Sequence, residues 1–91
     1  MIAPDLARTY FERHRDAILA DWFELLRIPT IGTDRHRLRE CARGTAWLRQ
    51  YLRPLGFESE VCLTQGQPVL LAERMGRPGA PVVLLYAHYD V

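Results

Sequence analysis

The chain has 91 residues, which is one domain at most or part of one, and at that length a fold buries about 60–65% of its unfolded surface. Hydrophobic residues make up 48% of it and charged residues 25%, ordinary globular values that exclude wholesale disorder. Twelve basic residues against eleven acidic ones leave a formal charge of +1, so there is no general attraction to nucleic acid or to an anionic membrane surface.

Asp5, Arg8, Glu12 and Arg13 stand where a secretory signal would need an apolar run, and no stretch approaches a membrane span. A reducing cytoplasm is the expected location. Leu6, Tyr10, Phe11, Ile18, Trp22, Leu25 and Leu26 recur at helical spacing, which predicts an amphipathic helix from about residue 5 to 27. Asp5 favours its N-terminal end, and Arg8 with Glu12 supports an exposed face. Ile28-Pro29 stops it, because a residue before proline is pushed out of the α region. Residues 30–34 then form a loop in which Thr33 or Asp34 can cap the next helix.

The second helix carries the cleanest periodicity: Leu38, Cys41, Ala42, Thr45, Leu48, Leu52 and Leu55 lie three or four apart, and Pro54 with Gly56 ends it. Phe57, Ser59, Val61 and Leu63 alternate with Glu58, Glu60, Cys62 and Thr64, the pattern of a half-buried strand. Gln65-Gly66-Gln67-Pro68 turns the chain into a second strand, Val69 to Arg74, antiparallel to the first. After the Gly76-Arg77-Pro78-Gly79 link, Val82 to Tyr86 are five apolar residues in sequence. Such a run predicts a buried central strand with both sheet faces covered. Helix, helix, hairpin and buried strand form the opening of a larger layered α/β domain that these residues do not complete.

Several features have bland explanations. All twelve basic residues are Arg. That is mainly a compositional habit, although guanidinium groups suit carboxylates and phosphates. Cys41 and Cys62 are too few and too isolated for a disulfide framework or a C-x-x-C zinc site. The basic run from Arg35 to Arg43 is interrupted by Glu40 and shares its turns with a core stripe, so it reads as a solvated helix face. Trp22 and Trp47 sit at or beside core stripes and read as packing.

The chemistry concentrates at the end. The apolar run delivers His88 and Asp90 beyond the carboxyl end of a strand, where open α/β sheets place their ligands. In extended backbone residues i and i+2 project to one side, so His88 and Asp90 face one site and Tyr89 the other, where it is structural. A neutral imidazole is a good zinc ligand, and its second nitrogen wants a carboxylate to fix the ring. A hydrolytic zinc needs about three protein ligands. His14, mid-helix, and His36, among Arg35, Arg37 and Arg39, are poorly placed to supply them.

Val83-Leu84-Leu85-Tyr86-Ala87-His88-Tyr89-Asp90-Val91 resembles the first metal-binding motif of the M20 family of metallopeptidases, and Leu25-Leu26-Arg27-Ile28-Pro29-Thr30 resembles the end of that family's first helix. The resemblance spans all 91 residues, and the His-Tyr-Asp-Val wording is closest to the dipeptidase or carnosinase-like branch. It implies that residues 1–91 are the N-terminal segment of one α/β/α zinc-peptidase catalytic domain, with the remainder and the smaller dimerisation domain absent. It also implies that His88 is a ligand of one metal in a two-zinc site and that Asp90 is the catalytic carboxylate orienting His88. The family's bridging Asp, its Glu-Glu pair and its later ligands lie downstream of this motif. The complete enzyme would be a homodimer cleaving the amide bond of dipeptides or N-acyl amino acids through a metal-activated water. This chain alone is expected to be inactive. The alternative is a small non-catalytic α/β protein, or a truncated product, that packs against a partner chain.

Overall fold

The computed structural model describes residues 4–91. Helix α1 runs Pro4–Leu26. Its first residue is a proline, whose fixed φ suits a first helical position and whose missing N–H costs nothing there. The Ile28 amide closes the last turn on the Leu25 carbonyl at 3.1 Å before Pro29 ends the helix. The expected amphipathic stripe is only partly used. No residue of α1 is buried, and Ile18, Leu19, Asp21 and Leu25 are half-buried. Trp22 and Phe23 remain exposed rather than packed into a core. One side-chain tie to the second helix is the Trp47 indole N–H, which donates to Glu24 Oε1 at 3.0 Å. No helix among the described residues is long and apolar enough to cross a membrane.

Of the two candidate caps, Asp34 caps the short turn that leads into the second helix and not the helix itself, whose own N-cap, Arg37, makes no side-chain cap bond. The Asp34 carboxylate accepts the His36 amide at 2.9 Å and opens a single 3-10 turn, Arg35–Arg37. Helix α2 follows, Leu38–Leu52, and buries Cys41, Gly44 and Thr45 on one face. These residues meet Ile28 and Thr30 from the loop after α1, and together they form the small buried centre of the molecule. A second 3-10 turn, Arg53–Leu55, ends on Gly56 at φ 90°, a left-handed position that glycine takes without steric cost.

The hairpin follows as expected, with strands slightly shorter than the alternation predicts. Strand β1, Glu58–Cys62, pairs antiparallel with β2, Val69–Glu73, in the register Glu58 to Glu73 through Cys62 to Val69. Leu63, expected on the inner face, lies past the end of β1 and is exposed. The Arg49 guanidinium donates to Ser59 Oγ at 3.1 Å and ties α2 to β1. The Gln67 side chain donates to the Gly32 carbonyl at 3.0 Å and ties the hairpin tip to the loop after α1.

The third strand is corrected. Residues 80–91 carry no regular structure, and Val82 to Tyr86 are between 76% and 87% exposed instead of buried. A strand exists only by pairing, and the only sheet among the described residues has the order β1-β2. With no neighbour to bond, the apolar run forms no strand and stays uncovered. The mixed α/β character therefore holds as two helices and a two-stranded antiparallel sheet.

Two stability predictions follow from this packing. A Cβ built on Gly44 would lie 2.5 Å from Thr30 Cγ2 and 3.3 Å from Tyr89 Cε2. Thr30 is fully buried and cannot yield, so Gly44→Ala should destabilise by about 1–2 kcal/mol in denaturant unfolding, the overpacking cost exceeding the gain in helix propensity. Glu58 and Glu73 face each other directly across the hairpin, and like charges in that position repel. Glu73→Lys should stabilise by about 0.2–1 kcal/mol, with the gain shrinking as salt is raised.

Candidate functional site

The site is built from the last six residues, and its foundation is Tyr89. The Thr30 hydroxyl donates to the Tyr89 carbonyl at 3.0 Å, and the Val91 amide donates to the Thr30 carbonyl at 3.1 Å. The tail is thus held to residue 30 on both sides of Asp90, once through the Thr30 side chain and once through its backbone. The Tyr89 ring turns inward, over Gly44, and its oxygen lies 2.6 Å from Thr45 Oγ1. Thr45 already gives its one hydroxyl proton to the Cys41 carbonyl at 3.1 Å, so Tyr89 donates and Thr45 accepts. The structural role expected for Tyr89, on the side opposite His88, is what its geometry shows.

Alternation then puts Tyr86, His88 and Asp90 together on the outer side. His88 Nδ1 lies 3.6 Å from Asp90 Oδ1, beyond direct hydrogen-bond reach. On the other edge of the ring, Nε2 lies 3.0 Å from the Tyr86 hydroxyl. A proton on Nδ1 leaves a lone pair on Nε2 to accept from the Tyr86 O–H, whereas a proton on Nε2 donates to the Tyr86 oxygen. The two rings meet edge to face, with centroids 5.2 Å apart. Both His88 and Asp90 are largely exposed, at 71% and 60% of their side chains. Neither lies in the open groove lined by Arg49, Arg53 and Glu58 at the far end of α2.

The other histidines take no part. His14 stacks on Tyr10 within α1 and bonds its backbone carbonyl at 2.8 Å. His36 sits in the 3-10 turn between Arg35 and Arg37. Among the described residues no group of three or more His, Cys, Asp or Glu is gathered to hold a metal. Residues 4–91 therefore do not fit a zinc centre by themselves; they supply one imidazole and the carboxylate beside it.

The sequence reading missed three residues of the site. Tyr86 stands two before His88 and was legible from the same alternation that paired His88 with Asp90. Thr30 and Gly44 left no local signal, because their part depends on contacts with a residue 59 positions away in one case and on a close approach in the other. Compared with protein-family models, with curated proteins and with solved structures, the chain matches none of them.

Proposed function

We propose that this chain is the N-terminal portion of an M20-like, zinc-dependent hydrolase that cleaves the amide bond of dipeptides or N-acyl amino acids. In this reading residues 1–91 open a layered α/β/α catalytic domain, and Val82 to Tyr86 become its central strand once neighbouring strands cover them. His88 is the metal ligand and Asp90 its orienting carboxylate. The observation that carries the reading is the arrangement around one imidazole: the Asp90 carboxylate lies 3.6 Å from Nδ1, and Nε2 stands on the opposite edge of the exposed ring, 3.0 Å from the Tyr86 hydroxyl. A metal-ligating histidine is held in that way. The Tyr86 hydroxyl now on Nε2 would have to move aside for a cation. The remaining donors would come from residues outside this segment, and the chain by itself is inactive.

A second reading is a non-catalytic α/β protein that packs against a partner chain. It is favoured by the exposure of Val82 to Tyr86, because an uncovered apolar run of this kind seeks a partner.

The coding region beyond Val91 separates the two. An uninterrupted frame leading to an acidic bridging residue and a Glu-Glu pair supports the hydrolase, and a stop codon there contradicts it for this polypeptide. The isolated chain should retain almost no zinc after dialysis against buffer, measured by atomic emission. Stoichiometric zinc would contradict the single-ligand account. Under either reading, Leu84→Glu should reduce aggregation of the isolated chain, seen as a larger monomer fraction in sedimentation velocity.

A further inference from the structure

We infer that Tyr89 and Thr30 are positioning residues for the His88–Asp90 pair, acting as a clasp that selects which nitrogen of His88 carries the proton. The inference rests on the proposed metal-ligand role of His88, and it adds a device in the helical part of the chain.

The tail has no sheet to hold its register. From Pro81 to Asp90 no backbone amide donates to another backbone group among the described residues, and the first that does is Val91, to Thr30. The side on which His88 and Asp90 emerge is therefore fixed at Tyr89 and by the Val91 bond that follows it. The Tyr89 carbonyl is held by the Thr30 hydroxyl, its ring lies against Gly44, and its own hydroxyl reaches Thr45. Thr30 grips twice, donating to residue 89 and accepting from residue 91. These two contacts bracket Asp90 and fix the backbone on either side of its side chain. Thr30 is only 1% exposed, so this grip comes from the most deeply buried side chain described.

The consequence appears at the imidazole. Asp90 Oδ1 lies near Nδ1 only while residues 88 and 90 project to one side. Released from the clasp, an exposed His88 would lose the carboxylate and return to the Nε2–H form that a solvated imidazole ordinarily prefers. Its outward nitrogen would then carry a proton and have no lone pair to offer. The clasp thus converts burial of Tyr89 into a defined tautomer at a surface histidine.

Long-range 15N–1H correlation spectra of the full chain, recorded where His88 is neutral, test this. Wild type should show His88 mainly as Nδ1–H. Thr30→Val keeps the shape but removes the donor, and should turn the majority to Nε2–H while the cross-strand amides of β1 and β2 stay protected. Thr30→Ser restores the hydroxyl and should restore Nδ1–H. If Thr30→Val fails to fold, Tyr89→Phe removes only the hydroxyl bond to Thr45 and should raise the Nε2–H fraction in a folded chain. Retention of the wild-type tautomer in folded Thr30→Val, or in Tyr89→Phe if that is the variant that folds, would overturn the positioning role and leave the metal-ligand proposal standing. A wild-type ring already in the Nε2–H form would overturn both, because Asp90 would then not orient His88. A merely structural clasp would lower stability without moving the tautomer of the molecules that remain folded.

Discussion

Thr30 ties the tail of this molecule to the loop after α1 and to the middle of α2. It is the most deeply buried side chain described, at 1% exposure. Its hydroxyl and its carbonyl both bond the tail, and its methyl group lies where a Cβ on Gly44 would have to go. Three elements meet there: the loop after α1, the middle of α2 and the last three residues. Without that junction the histidine and aspartate at the end of the chain would have no fixed relation to the rest.

The energetics explain why a tyrosine is needed. Ordering the backbone of three tail residues costs about 3–6 kcal/mol. The three hydrogen bonds at the junction, from Thr30, Val91 and Tyr89, return about 0.5–1.5 kcal/mol each. Hydrogen bonds therefore come close to balance without clearly winning. Burial of the Tyr89 ring against Gly44 adds the apolar contribution that holds the tail in place. No such contribution reaches Val82 to Tyr86, which stay exposed on the near side of the anchor.

Much of this architecture was legible in local pattern. The helix stop before Pro29, the Asp34 cap of the turn ahead of α2, the end of the turn after α2 at Gly56 and the antiparallel hairpin each rest on a few adjacent residues. The failures share one cause. The stripe on α1 and the apolar run at Val82 to Tyr86 were read as core, and apolar pattern states only that a surface favours burial, not that a partner lies within the same 91 residues. At the site, the side shared by His88 and Asp90 followed from strand alternation, and so did the inward side of Tyr89. The slot that receives Tyr89 did not, because Thr30, Gly44 and Thr45 come together only in three dimensions.

The account depends most directly on the docking of Tyr89, and the nuclear Overhauser spectrum of the full chain measures it. The ring lies within van der Waals distance of where a Cβ on Gly44 would stand, so its protons should show cross-peaks to a Gly44 Hα and to the Thr30 methyl protons. That same Hα should be displaced from its ordinary shift by the ring current. A Tyr89 ring with cross-peaks only to its neighbours in sequence, beside a Gly44 at unperturbed shifts, would contradict the account.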